Sequence, residues 1–130
     1  MILLIKLFLA HLLGDFLFQP DSWVKAKEIK KLKAYQLYLH LLVHGALVFL
    51  IVANITFWPY ALIIMFAHGI IDVIKLYAQK EKTKRYWFFI DQLAHFIVLI
   101  AVAIVMNPSL LDLLYPVSEH GWMMLTFVVF

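Results

Sequence analysis

Four stretches of about twenty mostly apolar residues divide this chain, covering about residues 2–19, 35–54, 59–77 and 86–106. A helix of that length crosses roughly 30 Å of hydrocarbon at about 1.5 Å per residue. Helix-breaking residues (Pro20, Asn54, Pro59, and Asn107 with Pro108) stand at the ends of these stretches. The pattern predicts an all-α membrane protein with four transmembrane helices. Composition excludes the rivals: 65% of the 130 residues are hydrophobic and 15% charged, against about half and about a quarter in soluble domains. At 15.2 kDa, with a mean hydropathy of +0.93, a soluble globule has too little interior for that much apolar surface. The 4 Gly and 4 Pro are few for the turns of a barrel of short strands. The absence of cysteine removes disulfides, thiolate ligands and cysteine nucleophiles.

A single domain is expected over residues 1–130, with an interfacial segment in 107–130. Its apolar end, 122–130, is too short to span, and is also readable as the start of a fifth helix in a longer chain. The first stretch is read as a retained helix and not as a signal peptide. His11 and Asp15 break its apolar run, no basic residue precedes it, and no small-x-small cleavage site follows.

The basic residues sort by loop. Lys25, Lys27, Lys30, Lys31 and Lys33 lie between stretches one and two, and Lys75, Lys80, Lys82, Lys84 and Arg85 at or between the ends of three and four. The link 55–58 has no charge, and the tail carries only Asp112 and Glu119. Both basic loops are therefore expected in the cytoplasm, with both termini outside. Lys6 is the exception, explicable by snorkelling. In the first loop Trp23, Ala26, Ile29 and Leu32 recur every three residues among lysines, which predicts a short amphipathic helix on the anionic leaflet. Lysines beside a span are read as topology signals, and nucleic acid is not expected as a partner.

Ionisable groups inside membrane helices are costly and mark function. Each stretch carries two: His11 and Asp15, His40 and His44, His68 and Asp72, Asp91 and His95. Every pair is spaced i, i+4, which places both members on one helix face. Tyr35 and Tyr86 begin stretches two and four, and each pair there sits 5 and 9 residues in, or about 7–14 Å deep. The pairs in stretches one and three fall at similar distances from their cytoplasmic ends. Five of the six histidines are used in this layer, His120 being the remainder. Imidazole with carboxylate is a donor set for zinc, iron or manganese. Eight ligands exceed one tetrahedral ion and suit two, as in carboxylate-bridged four-helix bundles.

The pattern repeats. Ala10-His11-x-x-x-Asp15 matches Ala67-His68-x-x-x-Asp72, and each is followed by a basic loop and a helix carrying [His/Asp]-x-x-x-His. The offsets are 57 and 51 residues, so residues 2–54 and 59–106 read as two parallel-repeat hairpins about an axis along the membrane normal. Gly14, Gly45 and Gly69 each neighbour an expected ligand, where small residues permit close helix approach. Gln19 and Gln92 are placed to orient ligands. Lys75 and Arg85 are placed at the cytoplasmic mouth, to anchor topology or to bind a phosphate or carboxylate.

His11-Leu-Leu-Gly-Asp15-Phe-Leu-Phe-Gln19, His68-Gly-Ile-Ile-Asp72-x-x-Lys75 and Arg85-x-x-x-Phe89-Ile-Asp91-Gln92-x-x-His95 resemble the DUF3307 family of small bacterial integral membrane proteins of unknown function. The likeness covers about residues 5–100 and implies a polytopic inner-membrane protein; many members are longer. A looser similarity of the His and Asp pattern is to membrane-bound metal-dependent hydrolases.

The leading expectation is metal-dependent hydrolysis of a lipid or other membrane-held substrate, including a phosphorylated one, at the cytoplasmic interface. Iron would instead suit oxidation of a lipid chain. A divalent-metal carrier is the alternative, although the apolar outer halves of the spans argue for access from one side. Haem ligation leaves Asp15, Asp72 and Asp91 without a role. A non-catalytic assembly subunit and a homo-oligomer are both compatible with the sequence.

Overall fold

A computed structural model describes residues 1–110. The segment 122–130, with Asp112, Glu119 and His120, lies outside the described residues. Five α-helices make up the rest: α1 (Ile2–Leu12), α2 (Asp21–Lys30), α3 (Tyr35–Val52), α4 (Trp58–Ala78) and α5 (Lys84–Met106), with no strand among the described residues. Three helical stretches, Tyr35–Val52, Ile55–Ala78 and Glu81–Met106, are long and apolar enough to cross a membrane. Large apolar side chains such as Leu50, Phe66 and Leu93 face outward, each at least 60% exposed, as lipid-facing positions do.

The first stretch departs from the expected straight span over 2–19. Regular α-helix stops at Leu12 and continues as a five-residue π-helical turn, Leu13–Leu17. The Phe18 amide donates to the Leu13 carbonyl at 2.8 Å, the i to i−5 bond of that geometry. The helix then ends because Pro20 drives its predecessor out of helical conformation. Pro20 is itself extended (φ −62°, ψ 150°) and opens α2, which leaves at 83° to α1 and its extension. At about 23 Å, α1 with its π turn is shorter than a full hydrocarbon crossing. It reaches the fourth crossing only when taken together with α2.

α1, α3, α4 and α5 close into a ring, each packing on the next and α5 returning to α1. Ala53 in left-handed conformation (φ 55°) ends α3. Asn54 then accepts from the Thr56 amide at 3.1 Å and its hydroxyl at 2.7 Å, which tightens the turn into α4. Pro59 follows in the first turn of α4, where its missing N–H costs nothing. Lys6 donates to the Val52 carbonyl at 3.4 Å, so this lysine caps the negative C-terminal end of α3. Between that turn and mid-bundle the interior is apolar, built on Leu7, Ala10, Val48, Phe57, Ile64, Leu99 and Ala103.

α2 forms as expected, with one residue, Lys27, sorted against expectation. Ile29 is 80% exposed and Leu32 is also exposed, while Lys27 is buried at 6%. Of the apolar stripe, Ile29 and Leu32 face outward, as contact with a leaflet requires, while Trp23 and Ala26 are half-buried, and a lysine read as a topology signal points in. A polar residue carries no weight in an apolar periodicity, so nothing in the pattern marked it.

Ala10 and Ala103 are completely buried. Ala103→Leu is expected to overpack the ring and cost about 1–3 kcal/mol, read as a lower thermal midpoint in detergent. Leu50→Ala, on the outward face, should leave that midpoint unchanged.

Candidate metal centre

The i, i+4 pairs of α1, α3, α4 and α5 turn their faces to the centre of the ring. All eight expected ligands meet there in three overlapping groups: His11, Asp15, His44 and His68; His40, His68 and Asp72; and Asp15, Asp91 and His95. Within each group one ligand atom per residue lies within 4.8 Å of all the others. Seven of the eight residues are buried and Asp15 nearly so.

Asp15, in the π turn, is the hub. His44 Nε2 lies 2.9 Å and His40 Nε2 3.2 Å from its Oδ1, and His68 Nε2 lies 3.6 Å away. His11 Nε2 is 3.4 Å from Oδ2, and the Gln92 amide donates to the same oxygen at 2.9 Å. Asp72 is a second hub. His95 Nε2 lies 3.3 Å from its Oδ1, and His40 and His68 Nε2 lie 3.4 and 3.5 Å from its Oδ2. Asp91 joins through His95, at 3.3 Å. The His68 ring is stacked between those of His44 and His95, with centroids 3.7 and 4.0 Å away.

Two features make this donor set one that could hold cations. First, Nε2 of all five imidazoles faces inward, and His40 and His68 Nε2 are 3.0 Å apart. One Nε2 carries a single proton or a single lone pair, so these atoms cannot satisfy several neighbours each by hydrogen bonds alone. Asp72 Oδ2, Asp91 Oδ1 and His40 Nδ1 are buried without a hydrogen-bond partner. Second, ligands at about 2.0–2.1 Å from a tetrahedral zinc are about 3.3 Å from one another, and the spacings here run from 2.9 to 3.6 Å. A cavity of about 10 Å³, bounded by His11, His44, His68 and His95 on one side and Val48 and Leu99 on the other, has room for one water-sized occupant.

The surrounding polar residues divide by distance. Gln92 bridges three ligands: besides Asp15 it donates to Asp91 at 3.2 Å and lies 3.1 Å from His11 Nε2. Gln19 acts at one remove, donating to the Asp15 carbonyl at 3.2 Å and accepting from Lys27. Lys75 reaches Asp91 Oδ2 at 3.8 Å. Arg85 touches none of the eight and stands in the wall of an outer cavity with Lys84 and Phe89. The residue that sequence reasoning missed is Lys27, whose ammonium lies 3.6 Å from Asp72 Oδ2. The only sequence signal was local: Pro20 turns the chain between Gln19 and Lys27 and folds α2 back towards the cluster. A cleft of about 260 Å³ leads from Asp15 past Gln19, Lys27 and Lys75 to the outside.

Gly14 is a condition of this geometry. A Cβ there would stand 2.6 Å from the His44 ring, which is fixed by Asp15 and by the stack. At Gly45 and Gly69 the obstructing atoms belong to Met65 and Leu41, which can move. Gly14→Ala is therefore expected to destabilise the protein by about 1–3 kcal/mol, read as a lower thermal midpoint, with a smaller change for Gly45→Ala.

No curated protein and no solved structure matches this chain. A family model described as "Protein of unknown function (DUF3307)" does match, over residues 3–124. The three motifs that the ring of helices brings to its centre all lie inside that span, and the chain belongs to the DUF3307 family.

Proposed function

We propose that this is a metal-dependent membrane hydrolase, with zinc, iron or manganese held as a pair of ions by His11, Asp15, His40, His44, His68, Asp72, Asp91 and His95. The observation that carries this reading is the convergence of all eight ligand-type side chains, with buried carboxylate oxygens that accept no hydrogen bond. Bound metal would supply an acidified water and charge stabilisation at the oxygen where negative charge develops. The chain's own residues supply the rest. Gln92 fixes the orientation of Asp15 and Asp91, and Lys27 and Lys75 hold positive charge beside Asp72 and Asp91. In hydrolysis a water oxygen bonds to the acyl or phosphoryl centre, the bond to the leaving oxygen breaks, and a water proton ends on that oxygen. No oxidant is needed.

The substrate is membrane-held and reaches the centre from the side of the basic loops. The cleft opens there, between α2 and the start of α5, whereas the other side of the cluster is closed by apolar packing. That closure counts against a divalent-metal carrier, which needs polar access from both sides. With both basic loops cytoplasmic the centre lies beneath the inner leaflet and both termini lie outside. The two hairpins form a parallel repeat, supported by equivalent contacts: Asp15 with His11 and His44 in one half (3.4 and 2.9 Å), Asp72 with His68 and His95 in the other (3.5 and 3.3 Å).

Elemental analysis of detergent-purified protein should find one to two equivalents of zinc, iron or manganese per chain. Asp91→Ala and His95→Ala should each lower that content at least tenfold, as losses among ligands and their supports do. Metal-free protein that keeps its fold would overturn the reading. Orientation is tested on the cysteine-free background. An impermeant maleimide should label Asn54→Cys in intact cells and Lys82→Cys only after permeabilisation.

A further inference from the structure

We propose that the cleft between α2 and α5 binds the phosphate of an anionic phospholipid, gripped by Arg85 and Lys75 at the mouth and by Lys27 at the inner end. This rests on the reading of a membrane-held substrate and names its chemical class.

Two cavities, of about 460 and about 260 Å³, share Val24, Glu28, Lys75, Gln79 and Phe88 and so make one continuous cleft. Its outer part adds Lys84, Arg85 and Phe89, and its inner part ends at Asp15, Gln19 and Lys27. The cations along it differ in how far they are already committed. Lys84 is held by Glu28 at 3.1 Å and Glu81 at 3.0 Å, which ties α5 to α2 across the cleft and neutralises the Glu28 carboxylate. Lys75 lies 3.8 Å from Asp91, a long and weak pairing. Arg85 has no ion pair among the described residues. A guanidinium at this level presents a planar fork that suits two phosphate oxygens. Lys27 is buried and shared between Gln19 and Asp72, so it offers its charge inside the cleft and away from bulk water. Asp21 also lines the inner part and is exposed.

The walls select a lipid over a free anion. Val24, Phe88 and Phe89 line the cleft, and Phe89 and the adjacent Phe16 are 64% and 57% exposed. Such a wall gives acyl chains apolar contact on the same level at which the cations meet the headgroup, whereas inorganic phosphate leaves it uncovered. In an anionic leaflet each basic residue near the surface contributes about 1 kcal/mol, a factor of about five in affinity.

The test is native mass spectrometry of the full-length protein titrated in detergent with phosphatidylglycerol or phosphatidylcholine, metal content being measured on the same samples. Phosphatidylglycerol should bind at least tenfold tighter. Arg85→Gln should cost about fivefold of that preference and Phe89→Ser should weaken phosphatidylglycerol binding, both at unchanged metal content. Millimolar inorganic phosphate should fail to compete. Equal binding of the two lipids, an unaltered preference in Arg85→Gln, or displacement by inorganic phosphate would each overturn the lipid site while leaving the metal centre standing. Loss of metal with the lipid preference intact would do the reverse.

Discussion

Three carboxylates are buried in the middle of a helical ring that presents apolar surface to its surroundings, and the arrangement of the helices follows from them. Moving an isolated carboxylate into such an interior costs several kcal/mol even after relaxation. That cost is offset only when donors from other helices arrive together. Asp15 of the first stretch depends on His40 and His44 of α3 and on Gln92 of α5. Asp72 of α4 depends on His95 of α5 and Lys27 of α2. In a bilayer apolar helix faces gain little from choosing one another over acyl chains. The polar cluster therefore supplies what apolar packing cannot, which is a reason for these helices to meet in one register. The small residues at the seams let them approach closely enough to satisfy it.

The convergence of the eight His and Asp side chains was legible because a helix turns its period into a face: two ionisable residues four apart in an apolar helix can point only one way together. The helical class and the long apolar stretches were legible for the same reason. What was not legible depends on breaks in that period. The π turn at Leu13–Leu17 leaves no mark in a hydrophobic pattern, yet it is where Asp15 and Gly14 sit. The first stretch was read as one regular helix because Phe16, Leu17 and Phe18 continue the apolar run through the π turn and up to the break before Pro20. Lys27 was hidden by its neighbours. Within a run of lysines a single inward-facing one differs only in its tertiary partner, and that partner, Asp72, is 45 residues away in the chain.

The two sides of the cluster differ in kind. Towards the α3–α4 turn, Val48, Ile64 and Leu99 line the small cavity beside the imidazoles and lead into a continuous apolar core. Towards the basic loops, α1 stops early and the 83° turn into α2 takes the chain aside. The cleft that reaches Asp15 occupies the space next to this turn. A straight first helix over the full expected length would run through the region lined by Phe16, Gln19 and Val24. The early break, the inward lysine and the cleft are thus one structural fact, with Pro20 as its origin.

Charge decides what such a cleft can deliver. With the imidazoles neutral, as metal ligation requires, Asp15, Asp72 and Asp91 face the ammonium groups of Lys27 and Lys75, leaving one negative charge uncompensated. One divalent ion turns that balance to a single positive charge, and two ions raise it to three. A buried excess positive charge is as costly as a negative one. A loaded centre would therefore favour anions, and among lipids an anionic headgroup in preference to a zwitterionic or neutral one. Arg85, which has no ion pair among the described residues, biases the approach at the outer end in the same direction. The metal reading and the preference for a negatively charged lipid are in this way coupled by electrostatics. Cations in the centre would add to the preference that Arg85, Lys75 and Lys27 set along the cleft, and would make an anionic headgroup the cheaper one to bury beside it.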